Sequence, residues 1–131
     1  MSEAILIRED DGAIATLTLN DPDRLNVLSD AMLAALQAEI DRLSDDQRIR
    51  VVILAGAGRA FCAGHDLREM QAARQAPDGG RSAYLDLFER CSRVMLGLTR
   101  LPQSVIARVH GVAAAAGCQL ALSCDLAVAA H

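Results

Sequence analysis

Aromatic side chains are almost missing from this 131-residue chain, which has no Trp, one Tyr and two Phe. A surface that stacks on nucleobases is therefore excluded. The 13 Lys+Arg and 17 Asp+Glu residues give a formal charge of −4, with no basic stripe to neutralise phosphates, so nucleic acid is not an expected partner. No apolar run approaches the ~20 residues that a membrane-crossing helix needs, so no membrane partner is expected either. The opening Met-Ser-Glu-Ala has neither the charged nor the apolar region of a secretory leader. None of the four cysteines (Cys62, Cys91, Cys118 and Cys124) belongs to a Cys-x-x-Cys pair, and no metal site is indicated. They read as small apolar residues in a reducing compartment, and the expected location is cytoplasmic.

What remains is a chain that is 52% hydrophobic and rich in Ala, Leu, Val and Ile, long enough for one domain with a real core. Residues 4–9 read as a strand, and Asp10-Asp11-Gly12 as a hairpin turn. Residues 13–19 alternate Ile14, Thr16 and Thr18 with Ala15, Leu17 and Leu19, the period of a second strand. Ser29 is placed to cap a helix whose stripe is Leu33, Leu36, Ile40 and Leu43. Residues 49–55 are apolar throughout, as a parallel strand covered on both faces should be. The polar segment 71–80, with Pro77 and Gly79-Gly80, reads as a mobile loop. Ser82 is expected to cap a long helix with the stripe Tyr84, Leu87, Phe88, Cys91, Val94, Met95 and Leu98, stopped by Pro102. A strand over 105–109, a short helix over 115–123 and a strand over 126–130 complete the chain. Strands alternating with helices imply an α/β domain with a mainly parallel sheet.

Two segments carry candidate chemistry. Val51 to Ala55 runs through a glycine-containing turn into Ala60-Phe61-Cys62-Ala63-Gly64-His65-Asp66-Leu67-Arg68-Glu69-Met70. Val105 to Val109 runs into Gly111-Val112-Ala113-Ala114-Ala115-Ala116-Gly117-Cys118-Gln119-Leu120. A strand followed by a small-residue loop and a helix start exposes backbone N–H groups at the end of a sheet, where they can hold a developing oxyanion. Two such loops suggest two halves of one site.

These motifs, together with Asn20-Asp21-Pro22-Asp23-Arg24-Leu25-Asn26-Val27-Leu28, resemble in order and spacing the enoyl-CoA hydratase/isomerase family, the crotonases. Ala-Gly-His-Asp-Leu paired with Ala-Ala-Gly-Cys-Gln-Leu is closest to the enoyl-CoA hydratase domain-containing subgroup. The resemblance implies a ClpP/crotonase-type spiral of β-β-α units, with residues 1–131 as the N-terminal portion and a C-terminal helical region absent. It also implies a coenzyme A thioester as substrate, no prosthetic group, and assembly into trimers or hexamers. On the same basis His65 N–H and Ala116 N–H would form the oxyanion hole, with Ala116 standing where the family usually has glycine. An Ala at that position keeps its donor if the backbone does not need a positive φ. Arg24, Leu25, Ala63, His65, Asp66, Leu67 and Arg68 match or border positions that meet coenzyme A.

By the same resemblance, Gln119 occupies the position of the first of two catalytic glutamates in a true hydratase. An amide can orient a water or a carbonyl but cannot exchange protons as a carboxylate does. The resemblance therefore implies either an acyl-CoA enzyme of feeble activity or a non-catalytic acyl-CoA-binding or oligomer-partner homologue. The His65 side chain is expected to matter less than its amide, His110 to be a packed, hydrogen-bonded residue, and Asp125 to be structural.

Overall fold

The computed structural model describes residues 3–130. Five strands form the main sheet in the order β1-β2-β3-β5-β7: β1 (Leu6–Asp11), β2 (Ile14–Leu19), β3 (Val51–Gly56), β5 (Ser104–Val109) and β7 (Leu126–Ala129). Only the β1–β2 hairpin is antiparallel; the other three pairings are parallel. A second sheet pairs β4 (Ala60–Cys62) with β6 (Val112–Ala113), also in parallel. Between the strands lie α1 (Asp30–Ser44), α2 (Leu67–Ala73), α3 (Arg81–Arg100) and α4 (Ala116–Leu122).

Alternation along the strands fixes which side faces the core. Ala15, Leu17 and Leu19 of β2 are buried, and register places Ala15 beside Val52 and Leu17 beside Leu54 of β3. Val52 and Leu54 in turn adjoin Val105 and Ala107 of β5, so one face is a continuous apolar layer. The opposite face is less covered. Val51 and Ile53 are only half-buried, so β3 is deeply packed on one side rather than on both.

Helix α1 forms as its pattern predicts. The Ser29 hydroxyl accepts from Met32 N–H at 3.2 Å, and Leu33, Leu36, Ile40 and Leu43 are all buried. Helix α3 buries Leu87, Cys91, Val94, Met95 and Leu98, while Tyr84 is half-buried and Phe88 exposed. Its cap differs from the sequence reading. Ser82 lies inside the helix, and the Asp78 carboxylate accepts from Gly80 N–H at 3.0 Å and Ser82 N–H at 2.9 Å. Aspartate outcompetes serine here because its two oxygens reach two orphan donors at once.

The segment 71–80 is also more built than its composition suggests. Its first three residues belong to α2, and the rest form consecutive turns closed by backbone bonds such as Gln75 N–H to Ala72 O and Gly79 N–H to Ala76 O. No helix among the described residues is long and apolar enough to cross a membrane.

Candidate functional site

The short sheet brings the two small-residue segments together. Neither β4 nor β6 is evident in the sequence, because three and two residues are too few to show a period. They lie side by side and run the same way, so the loops that leave their C-terminal ends emerge together. Gly64, at φ +108°, is the contact point. A Cβ there would lie 3.2 Å from Ala114 O and 3.6 Å from Ala116 N. The Gly64–His65 peptide therefore abuts the start of α4. Among the described residues no backbone carbonyl accepts from His65 N–H or from Ala116 N–H.

The first loop is tied down by the segment that precedes α1. Leu28 N–H donates to Gly64 O at 2.7 Å, and Ala63 N–H donates to Leu25 O at 3.1 Å. Asn26 holds this segment in turn. It is fully buried, and its Nδ2 donates to Ala57 O and Ala60 O, both at 2.9 Å, while its Oδ1 accepts from Asp21 N–H at 2.8 Å. Its backbone is left-handed at φ +54°, a conformation asparagine tolerates better than most residues. Nothing in the local pattern assigns Asn26 this role. Its signal was an asparagine between two apolar residues in a loop that must reverse direction.

The second loop is built around a tight turn. Gly117 N–H donates to Ala114 O at 2.8 Å, and Ala115 sits at φ +52°, ψ −123°. These are type II′ turn angles, which favour glycine at the position Ala115 occupies. The question raised for Ala116 thus belongs one residue earlier. Ala116 is the first residue of α4, and the strained conformation is that of Ala115, which orients the peptide carrying Ala116 N–H. Gly117 is required by space, since a Cβ there would stand 2.1 Å from Cys62 O. That contact locks α4 onto β4.

A cavity of about 270 Å³ opens beside the first loop, lined by Asp23, Arg24, Leu25, Val27, Ala63, His65, Asp66, Leu67 and Arg68. Every residue matched to coenzyme A by resemblance lies on this wall. Asp66 is buried and caps α2, its Oδ1 accepting from Arg68 N–H at 3.0 Å and Glu69 N–H at 3.4 Å. Its other oxygen forms an ion pair with Arg24. The His65 ring lies edge-on to Phe88, with centroids 5.6 Å apart. Burial lowers its pKa below the ordinary imidazole value, so the ring is neutral at pH 7. Its Nδ1 is buried with no hydrogen-bond partner among the described residues.

Gln119 lies apart from this cavity, exposed on α4. Helix α4 carries no carboxylate and no histidine. His110 is hydrogen-bonded, through Nε2 to Gly58 O at 2.6 Å, but it is exposed rather than packed. Asp125 has the structural part expected of it, its Oδ2 accepting from Val105 N–H at 2.7 Å. Burial pushes the Cys62 thiol up to about 11, which makes it a poor nucleophile at neutral pH. Cys118 is exposed, unlike the buried thiol its sequence context suggests. No cluster of three or more His, Cys, Asp or Glu able to hold a metal ion occurs among the described residues.

The family profile described as enoyl-CoA hydratase/isomerase matches residues 9–131. The chain is 43% identical over 122 residues to human "Enoyl-CoA hydratase domain-containing protein 3, mitochondrial", covering 93% of this chain and 38% of that protein. It is 44% identical over 136 residues to Escherichia coli 1,2-epoxyphenylacetyl-CoA isomerase, covering all of this chain and 49% of that protein. Among solved structures, an enoyl-CoA hydratase from Mycobacterium smegmatis superposes with a TM-score of 0.90 at 54% identity, over 97% of this chain and 48% of the other. The chain thus spans about two-fifths to one-half of the length of these relatives.

Proposed function

The chain belongs to the enoyl-CoA hydratase/isomerase family, and from that premise we propose that it binds acyl-CoA thioesters with the carbonyl oxygen held between His65 N–H and Ala116 N–H. The observation that carries this reading is the parallel β4–β6 pair, which delivers two loops with unused amides to one place. Negative charge grows on a thioester oxygen when the carbon beside it loses a proton or when a nucleophile adds to the conjugated chain. Two fixed donors aimed at that oxygen stabilise the charge, and loss of one such donor typically costs on the order of 10²–10³ in rate. In this reading the cavity beside Arg24, Leu25, Ala63 and Leu67 takes the coenzyme A portion, with Arg24 and Arg68 supplying positive charge for its phosphates.

Proton transfer is the weak part. Gln119 is an amide, and α4 offers no carboxylate or histidine. This favours a second reading, in which the fold keeps thioester binding and polarisation and turns substrate over feebly or not at all. Exposed Leu122, Leu126 and Val128 on α4 and β7 support association of copies as part of either reading.

The deciding experiment is titration with crotonyl-CoA while the thioester carbonyl stretch is followed by difference infrared spectroscopy. Binding with a shift of that band to lower frequency is expected. Binding without a shift overturns the oxyanion assignment. Absence of binding overturns the thioester reading. Hydration measured in the same samples separates the feeble enzyme from the non-catalytic protein.

A further inference from the structure

Asp66 is the one charged side chain in the buried set of the described residues, 5% exposed, and it lies on the wall of a cavity read above as receiving an anion. A free carboxylate there would repel a phosphate. This one is capped on one oxygen and ion-paired on the other, although no hydrogen bond reaches Oδ2 among the described residues. Oδ1 accepts the two α2 amides, and Oδ2 meets the guanidinium of Arg24. Arg24 is 40% exposed, and apart from Asp66 its nearest carboxylate is Asp21, with Oδ2 4.0 Å from Nη1. A guanidinium has five N–H donors in a planar fork, so engagement by Asp66 leaves donors for a second anion.

We propose that Asp66 is a positioning residue for phosphate recognition: it does not touch the ligand, but holds Arg24 at the mouth of the cavity so that its free edge meets a phosphate of the coenzyme A thioester. This rests on the thioester reading above. The ion pair with a buried carboxylate orders a long, part-exposed side chain during folding, so the ligand meets a donor already in place. The α2 cap gives the carboxylate itself no freedom to move. Arg24 and Asp66 therefore act as one unit. The opposite view is that Asp66 competes with phosphate for Arg24, and it predicts tighter binding when the charge is removed.

Asp66→Asn separates these views, because asparagine caps a helix as well as aspartate but carries no charge. Affinities are measured on the 131-residue chain by calorimetry for butyryl-CoA and by NMR titration for S-butyryl-pantetheine, which has no phosphate. The expected result is about tenfold weaker binding of butyryl-CoA, the scale of one charge-assisted hydrogen bond, and less than about twofold change for the pantetheine thioester. Arg24→Gln should give the same loss, and the double variant no further loss. Unchanged or tighter butyryl-CoA binding in Asp66→Asn overturns the proposal, as does an equal loss for both ligands or full additivity of the two substitutions. Where Asp66→Asn does not fold by circular dichroism, Asp66→Ser, another capping residue, is judged by the same criteria. If neither folds, Asp66 serves folding alone and the proposal fails. If the unaltered chain binds no butyryl-CoA, the thioester reading itself is lost, an outcome distinct from indifference to Asp66→Asn.

Discussion

The first loop, residues 63–66, and the second, residues 111–117, meet at Gly64 but are held by different means. The first is closed by the backbone of the segment before α1, which a buried side chain holds in place, and by the Asp66 carboxylate. Asn26 clamps the segment beneath it, Leu28 and Leu25 bond to its backbone, and Asp66 joins Arg24 to α2. The second is held by its own backbone. A II′ turn, a strained Ala115 and the contact of Gly117 with Cys62 O set its path, while the Val112 side chain stays in solvent, 59% exposed. The difference teaches where each loop is vulnerable: the first to loss of a polar side chain, the second to addition of a methyl group.

The largest expected effect tests the first half of that contrast. Asn26→Ala leaves Asp21 N–H and the carbonyls of Ala57 and Ala60 without their partner. A loss of about 3 kcal/mol is expected in urea denaturation, from several buried polar groups left unsatisfied. A loss below about 1 kcal/mol would break the claim that a buried side chain holds the segment closing the first loop.

Gly117→Ala tests the second half. Its Cβ would fall well inside contact distance of Cys62 O, so α4 must move off β4. About 2–3 kcal/mol of destabilisation is expected, readable as a lowered urea midpoint. The reverse experiment is Ala115→Gly, which relieves the positive φ. A gain of about 1 kcal/mol is expected, with strain relief outweighing glycine's entropic cost. A loss of stability would place the strain elsewhere.

The smallest effect is electrostatic. The folded state keeps His65 neutral, whereas the unfolded chain protonates it near the ordinary value of ~6.5. Below that pH the unfolded state binds the extra proton, so folding stability falls as pH drops. His65→Gln should flatten the slope of unfolding free energy between pH 7.5 and 5.5 without abolishing it. An unchanged slope would show that the ring is solvated.

Much of the fold was legible where a period had room to repeat. The β2 alternation and the α1 stripe with its Ser29 cap stand as read, and the long α3 stripe holds in its buried part. The first loop was legible as a motif, and all seven residues matched to coenzyme A do share one cavity wall. Other features were hidden for physical reasons. Strands β4 and β6 are too short to show alternation, yet they fix where the loops go. Ala115 was missed because a positive φ at alanine leaves no mark in composition. The pairing of buried Asp66 with Arg24, forty-two positions earlier in the chain, was hidden as well. Long-range pairings of that kind are invisible to local spacing.

The short β4–β6 pair has one further consequence, for how such a pocket tolerates mutation. The two amides beside Gly64 belong to the main chain, so among single replacements only proline at residue 65 or 116 deletes one outright. Every other exchange at those positions alters the lining and leaves the donor in place. Charge, bulk and acid–base equipment around the cavity are thus free to drift, whereas the separation of the two amides follows the alignment of two neighbouring strands. A lineage could exchange side chains around the cavity and still inherit the pair of amides intact.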